Sequence, residues 1–163
     1  MAKQSAGLLL YRQGHQLEVL LVHPGGPFWA RKDKGVWSIP KGEFIDEEPL
    51  AAAKREFGEE TGQQAPSGTH ADLGTVKQSS GKVIYGWAIA GDFDVTTLMS
   101  NDFSMEWPPK SGQQQVFPEV DRAEWFSLDR ACIKIHPSQV PFLDRLATHL
   151  GVNYKPPEQA SLF

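Results

Sequence analysis

Residues 42–63 read GEFIDEEPLAAAKREFGEETGQ, and the pattern within them predicts a helix that begins near Pro49 and ends near Thr61. Proline suits the first helical position, because the N–H that it lacks would have no partner there. Gly62 is a typical residue just past a helix end. The apolar residues that recur at helical spacing, and that we expect to face a core, are Leu50, Ala53 and Phe57.

Three glutamates lie on one face of this predicted helix. Glu56, Glu59 and Glu60 stand at positions i, i+3 and i+4, so we expect their carboxylates to project together and converge on one point. Like charges at this spacing destabilise a bare helix by roughly a few tenths of a kcal/mol each. A hard divalent cation, which takes oxygen ligands, would remove that repulsion. The alternative is a solvated acidic helix face, which is the commoner origin of such a pattern.

Two neighbouring features favour a metal site over a solvated face. Gly58 costs roughly 1 kcal/mol relative to alanine inside a helix, and a purely structural surface helix has little reason to keep it. Residues 39–43 predict a turn in which Gly42 lets the backbone approach a ligand closely and Lys41 can meet a phosphate. Magnesium typically combines a few carboxylates with waters and substrate phosphates, which matches a glutamate helix beside an anionic substrate.

The segments on both sides of this stretch predict a β-rich chain. Apolar runs separated by polar turns indicate strands at 6–11, 17–22, 36–39, 73–77, 83–93 and 120–126. The first two runs predict a β-hairpin. The polar segment 100–115, which contains two prolines, is expected to be a long loop. Ser127 should cap a short helix, and a last helix is expected from Gln139 to Leu150.

Composition limits the class of protein. The 163 residues fit one domain, expected at residues 1–155, with a loose tail at 156–163. The formal net charge of −4 argues against binding to long nucleic acid, which usually requires a basic excess. No apolar run reaches the roughly 18 residues that span a bilayer, and the start lacks a signal-peptide pattern. We therefore expect a cytoplasmic protein without a membrane partner, in which Cys132 is structural.

The segment 42–63 resembles the signature of the Nudix hydrolases, G-x₅-E-x₇-R-E-U-x-E-E-x-G-U, in which U is a bulky apolar residue. Here Gly42 is followed by four residues, Glu47, seven residues and then Arg55-Glu56-Phe57-Gly58-Glu59-Glu60-Thr61-Gly62. The first spacer is one residue short, and Gln63 stands at the last apolar position. Pairing Gly42 with Glu48 instead moves the gap into the second spacer. The flanking strands and the final helix also resemble the family fold.

The resemblance implies an α/β/α sandwich with a mixed β-sheet and a hydrolase that cleaves a nucleoside diphosphate linked to another moiety. Nucleoside triphosphates, dinucleoside polyphosphates and nucleotide sugars are such substrates, and the turn Pro40-Lys41-Gly42 resembles that of dinucleoside polyphosphate hydrolases. The implied cofactor is Mg²⁺, with Mn²⁺ as a substitute, and the implied partner is a small phosphorylated nucleotide. An enzyme acting on the 5′ end of RNA and a non-catalytic ligand sensor remain as alternatives, and a homo-oligomer stays open.

The resemblance also assigns metal ligands. Glu56, Glu59 and Glu60 would bind the metal, and a distal loop would add one more carboxylate. The candidates for it are Glu119, which we take as the fourth ligand, and Asp121. The alternative for both is a solvated residue at the start of a strand.

Catalytic roles fall on the same helix. Glu56, Arg55 and Glu59 would be catalytic, with Arg55 orienting a carboxylate rather than touching the substrate. Glu47, or Glu48 under the other alignment, would pair with Arg55 or help the metal. Because the helix itself is in register, the short spacer should be absorbed before it begins, displacing Glu47 or Glu48 from its usual place.

Substrate binding is assigned to Lys41, Gly42 and Trp29. Trp29, like Phe28 and Trp107, could stack on a base. The other aromatic and imidazole side chains have structural interpretations: Trp37 and Trp125 are expected in the core, and His23 is expected in a turn rather than as a ligand.

Overall fold

The structure is a computed structural model that describes residues 2–154. Its strands are β1 (Gln4–Gln13), β2 (Leu17–Pro24), β3 (Lys41–Glu43), β4 (Ala71–Lys77), β5 (Val83–Ala90), β6 (Asp102–Glu106), β7 (Gln114–Pro118) and β8 (Val120–Ser127). Its α-helices are α1 (Pro49–Thr61), α2 (Leu128–Lys134) and α3 (Val140–Leu150). The tail expected at 156–163 lies outside the described residues, and the domain limits of 1–155 stay a prediction.

A six-stranded mixed sheet forms the centre of the fold. Its strands run in the order β4-β5-β1-β2-β8, with β3 pairing on β1. The β1–β5 pair is parallel, whereas β1–β2, β1–β3, β2–β8 and β4–β5 are antiparallel. The predicted hairpin of β1 and β2 and the mixed α/β fold are therefore confirmed.

Helices cover both faces of this sheet. On one face α1 buries Ala52, Ala53 and Phe57 against alternate residues of β1 and β2. On the other face α2 and α3 bury a second core, in which Phe142 and Leu146 are fully buried. Residues alternate between the faces of a strand, so the continuous apolar runs of β1 and β2 supply both cores. The expected α/β/α sandwich follows from this two-sided burial.

Helix α1 has the bounds that its sequence predicts. Glu48 is the N-cap, and its carboxylate accepts hydrogen bonds from the backbone N–H groups of Leu50 and Ala51 at 3.3 and 3.0 Å. Pro49 occupies the first turn, and Gly62 ends the helix with φ of 82°. A left-handed backbone at this position favours glycine, because it has no Cβ to clash.

Strand β1 changes its partner along its length, and this creates room for a site. Residues Tyr11–Gln13 pair with β2, whereas Ser5–Gly7 pair with β3. Strand β8 pairs with β2 from Glu18 to Pro24 on its other edge, whereas on the β1 side Val22 pairs with Ser38. The segment that contains Lys41 and Gly42 is thereby inserted between the separating strands β1 and β2.

Two expectations for the segment before α1 are wrong. Residues 36–39 form no strand, because their backbone hydrogen bonds go to unrelated partners: Trp37 N–H donates to Lys134 and Ser38 N–H donates to Val22. Residues 41–43, expected within a turn, form strand β3 instead. Pairing with β1 outweighs the local turn tendency of proline and glycine.

The expectation of a long loop at 100–115 is also wrong. Strands β6 and β7 form a two-stranded antiparallel sheet there, with Phe103 opposite Phe117. The alternation of polar and apolar residues in 102–106, which is typical of a strand, was the signal. The segment is short and is followed by two prolines, and both features favoured a loop over a strand.

The remaining structural expectations have mixed outcomes. Trp37 is fully buried as expected, and Trp125 packs half-buried against a core with its indole N–H donating to Phe93 at 3.0 Å. Cys132 is half-buried against the α2–α3 core. His23 is not a turn residue, since it lies in β2 with no exposed surface. Within residues 2–154, no helix has the length and apolar character to cross a membrane.

Candidate active site

The site is built on the contact between α1 and β3. The carboxylate of Glu56 lies against the Cα of Gly42, so that a Cβ placed there would be 1.9 Å from Oε2 and 2.1 Å from Cδ. Only glycine allows this approach, because real Cβ contacts do not fall below 3.0 Å. The space beside Gly42, where the sequence predicts close approach of a ligand, is thus occupied by the carboxylate of Glu56 from the same chain.

Arg55 ties three carboxylates together. Its Nε and Nη2 donate to both oxygens of Glu47 at 2.9 to 3.2 Å, and its Nη1 donates to Glu56 at 2.9 Å and to Glu59 at 2.7 Å. The bonds to Glu47, followed by those to Glu56, raise the pKa of Arg55, and the guanidinium lowers the pKa of Glu47. Of the two options that the resemblance left open, Glu47 is the partner of Arg55 and Glu48 is the helix cap.

Burial changes the proton affinity of two carboxylates on α1. The side chain of Glu56 is 12% exposed, and this burial is the main cause that raises its pKa. Removal from water raises the pKa of Glu60 to about 8, with repulsion from Glu119 as the next cause. Lys41 opposes this shift through its charge and through a hydrogen bond from its backbone N–H.

The three helix carboxylates, which we call the carboxylate row, divide between two sets of partners instead of sharing one. Glu59 and Glu56 share Arg55, whereas Glu60 faces Lys41 and Glu119. Among residues 2–154, no three His, Cys, Asp or Glu side chains form a cluster that could hold a metal ion unaided. The donor set still fits a hard cation that completes its shell with water and phosphate, because every donor is a carboxylate oxygen. Repulsion between Glu60 and Glu119 is the kind of strain that a bound cation relieves.

Backbone hydrogen bonds bring Glu119 to the helix. Asn101 N–H donates to the carbonyl of Glu59 at 3.0 Å, and Glu119 N–H donates to the carbonyl of Asn101 at 2.8 Å. Gly25 N–H then donates to the carbonyl of Glu119 at 2.9 Å. Asp121, the other candidate, has its carboxylate 2.7 Å from Nδ1 of His23. The structure thus places Glu119, and not Asp121, beside Glu60.

A cavity of about 240 Å³ opens between β2, β3 and the segment before β8. Four residues singled out from the sequence line it: Trp29, Lys41, Glu60 and Glu119. Burial, reinforced by Lys82, lowers the pKa of the Lys41 ammonium. Of the described residues that line the cavity, none is Arg55, Glu56, Glu59 or Gly42, so these lie outside its wall. The cavity therefore brings Trp29 and Lys41, two of the three residues predicted to bind substrate, together with Glu60 and Glu119, whereas Gly42 lies outside it.

The aromatic residues proposed for stacking separate into two groups. Phe28 and Trp29 contact each other edge to face with ring centroids 4.8 Å apart, and the ammonium of Lys32 lies 4.0 and 5.0 Å from their ring centroids. Trp107 follows β6 and, within the described chain, does not belong to the cavity lining.

Sequence reasoning missed several polar residues of the cavity: Ser38, Gln78, His136 and Gln139. Gln139 is almost fully buried, accepts a hydrogen bond from Ile39 N–H at 3.1 Å and donates to Ser38 at 3.0 Å. Nδ1 of His136 accepts from Ser138 N–H at 3.1 Å. Ser38, Gln78 and the neighbouring pair of His136 and Gln139 come from three distant parts of the chain. No local pattern connects them before the fold is known.

Comparison with known proteins agrees with this geometry. A family model described as the NUDIX domain matches residues 1–146. No protein with a curated description matches the chain.

Three solved structures share the fold at low sequence identity. An Ap4A hydrolase of C. elegans, solved as a binary complex, has a TM-score of 0.60 at 22% identity over 92% of this chain and 98% of its own. The NUDIX domain of Shewanella oneidensis NrtR, complexed with ADP ribose, has a TM-score of 0.61 at 20% identity over 92% of this chain and 89% of its own. The MutT protein of Methanosarcina mazei Go1 has a TM-score of 0.57 at 18% identity over 91% of this chain and 95% of its own.

The family model carries the assignment, because it covers most of the chain, whereas the structural neighbours show the fold alone. Both the signature at 42–63 and the mixed sheet lie within residues 1–146. The chain therefore belongs to the Nudix family, as its sequence predicts, and is a hydrolase of the Nudix type.

Proposed function

We propose that this protein is a divalent-metal-dependent hydrolase that cleaves a diphosphate linkage in a nucleoside diphosphate linked to another moiety. The observation that carries the proposal is the position of Glu60 and Glu119. These two side chains line one cavity together with Lys41 and Trp29, and the charge of Glu119 helps to raise the pKa of Glu60. Such a lining suits a cation bound together with a phosphate and a base.

Glu56, Glu59, Glu60 and Glu119 would hold the metal, with Mg²⁺ as the natural ion and Mn²⁺ as a substitute. Their oxygens are the ligands that both ions accept. When bound, the ion would neutralise phosphate charge and lower the pKa of a bound water.

The protein's own residues divide the remaining tasks. Glu56 would either bind the metal or, if left free of it, accept a proton from the attacking water, for which the pKa raised by its burial suits it. Arg55 would orient Glu56 and Glu59 through the bonds from its Nη1. Lys41 would meet a phosphate and Trp29 would stack on the base.

Among possible substrate classes, dinucleoside polyphosphates have the most support. The sequence Pro40-Lys41-Gly42 resembles that of enzymes acting on them, and one structural neighbour is an Ap4A hydrolase. The net charge of −4 argues against an RNA substrate. The complete set of carboxylates argues against a sensor without catalysis. Action in the cytoplasm stays a prediction.

A substrate screen with Mg²⁺ tests the proposal. Dinucleoside tetraphosphate, nucleoside triphosphates, a nucleotide sugar and a 5′-triphosphorylated RNA oligonucleotide would each be incubated with the protein and separated by anion exchange. We expect cleavage of a small nucleotide at a diphosphate linkage. Cleavage of RNA alone would support the 5′-end enzyme. Tight nucleotide binding without cleavage would support the sensor, and either result contradicts the proposal.

A further inference from the structure

His23 is a buried ionisable residue that the mechanism above does not use. It lies near the end of β2 with no exposed surface. Its Nε2 is 2.7 Å from the carbonyl oxygen of Lys32, and its Nδ1 is 2.7 Å from Oδ1 of Asp121. Both ring nitrogens therefore face oxygen atoms at short hydrogen-bond distance.

The chemistry of these partners determines where the protons lie. A carbonyl oxygen can only accept, so Nε2 of His23 must carry a hydrogen. Without a hydrogen on either atom, the lone pair of Nδ1 would face a lone pair of the Asp121 carboxylate oxygen at 2.7 Å. Two lone pairs repel at this distance, so a proton lies between the two atoms. The guanidinium of Arg122 lies 3.8 Å from the same carboxylate oxygen. The ring of His23 therefore bridges the Lys32 carbonyl and the Asp121 carboxylate through both of its nitrogens.

An irregularity in the sheet aims Asp121 at His23. His23 pairs with Arg122, but the next residue, Pro24, pairs with Val120, so Asp121 is an extra residue on β8. A bulge of this kind turns a side chain away from the regular alternation. The bulge lies two residues after Glu119 and fixes the chain on that side of the cavity.

His23 also holds the opposite wall. The carbonyl of Lys32 belongs to the loop between β2 and β3, which presents Trp29 to the cavity. Lys32 N–H donates to the carbonyl of Trp29 at 2.9 Å, and Trp29 N–H donates to Gly26 at 3.3 Å. The position of the Trp29 backbone is thus linked to the ring of His23 through Lys32.

We propose that His23 is a positioning residue that holds the Trp29 wall and the Glu119 wall of the cavity at a fixed separation. It does so through hydrogen bonds that join Nε2 to the Lys32 carbonyl on one side and Nδ1 to the Asp121 carboxylate on the other. Its effect on turnover rests on the proposed function, because it acts through the binding of the nucleotide. It does not touch the reacting phosphate.

NMR of the Trp29 indole N–H tests the positioning without any substrate. In Asp121→Asn, an amide group can still hydrogen-bond Nδ1 of His23, so we expect an unchanged indole signal of Trp29. In Asp121→Ala this bond is lost and the indole signal should shift. An unmoved Trp29 signal in Asp121→Ala contradicts the proposal.

Kinetics separate positioning from a general structural role. Loss of a hydrogen bond to a charged group predicts that Asp121→Ala and His23→Phe raise KM about tenfold or more. We expect kcat to stay within about threefold, since the carboxylate row is untouched. Asp121→Asn should keep both constants near those of the wild type. Equal losses of kcat in Asp121→Asn and Asp121→Ala would overturn the proposal.

The two proposals fail in different ways. If no nucleotide is cleaved, the proposed function fails, while the NMR comparison still decides the role of His23. Asp121 is an exposed residue, so its variants should fold even where His23→Phe does not. Far-ultraviolet circular dichroism of each variant checks this.

Discussion

The carboxylate of Glu56 fills the space in which a side chain on Gly42 would begin. The two residues are 14 positions apart, on α1 and on β3, and an added Cβ would lie 1.9 Å from Oε2. This contact explains in steric terms why glycine stands 13 residues before Arg55. It also makes the placement of the proposed base depend on a residue that has no side chain.

Gly42→Ala is expected to displace Glu56 and lower turnover by about 10²-fold, the scale of losing a positioned catalytic group. Because the contacted atoms are the end of a flexible side chain, Glu56 can swing aside and the fold should lose little stability. Steady-state kinetics and thermal unfolding measure the two effects. The matched control is Gly14→Ala, because a Cβ at Gly14 meets nothing within 4 Å. Normal turnover in Gly42→Ala would show that Glu56 needs no such contact.

Glu48→Ala should affect stability rather than catalysis. Glu48 caps α1 through two backbone N–H groups, and loss of an N-cap side chain costs about 1 kcal/mol. We expect a lower Tm and a kcat within about threefold of wild type at temperatures where the protein is folded. A kcat loss as large as that of Glu56→Ala would instead place Glu48 in the site.

Glu47→Ala should also cost far less activity than Glu56→Ala. Arg55 would lose its bonds to Glu47 but keep those to Glu56 and Glu59 through Nη1. The carboxylate row therefore keeps its anchor. Parallel measurement of kcat/KM for the two alanine variants tests this, and equal losses would mean that the one-residue-short spacer brings Glu47 into catalysis.

Glu60 should make the stability of the metal-free protein depend on pH. Burial raises its pKa from 4.5 to about 8. Between pH 4.5 and about pH 8 the folded state therefore holds a proton that the unfolded chain has released. The stabilising contribution is complete below pH 4.5 and is lost as the pH rises to about 8. Denaturant unfolding across this range should show a smaller decline in Glu60→Gln than in wild type. Identical profiles would mean that Glu60 is not desolvated.

Gly58→Ala should stabilise the protein. Alanine is better than glycine inside a helix by about 0.8–1.0 kcal/mol, and a Cβ at Gly58 would meet only the Gln63 carbonyl at 3.8 Å, an ordinary contact. The structure therefore gives no steric reason for glycine here, although its presence had favoured a metal site in the sequence. Calorimetry should show a higher Tm. A lower Tm would reveal a backbone requirement at this position.

The parts of the fold that sequence predicts well depend on local patterns. Helix α1 is determined by Pro49, by the spacing of Ala53 and Phe57, and by Gly62, all within one stretch of 14 residues. The hairpin of β1 and β2 likewise needs only two apolar runs and a turn. These elements had the expected positions, because their causes lie in neighbouring residues.

The parts that sequence predicts poorly depend on distant partners. Strand β3 forms because β1 is beside it, and the choice of Glu119 over Asp121 depends on a bulge against His23. Gln139 enters the cavity because α3 packs behind the sheet. No property of these residues alone indicates such partners, so their roles follow only from the assembled fold.

The central claim is that carboxylates on α1 support metal-dependent cleavage of a diphosphate linkage, and its most direct test is the turnover of Glu56→Gln beside wild type, with Mg²⁺ and after exhaustive chelation. The substitution keeps the size of the side chain and removes its charge. We predict a loss of roughly 10²-fold or more in the variant, no turnover by the chelated wild type, and recovery of the wild type when Mg²⁺ is restored. Turnover of Glu56→Gln within about threefold of wild type, or full turnover after chelation, would contradict the account.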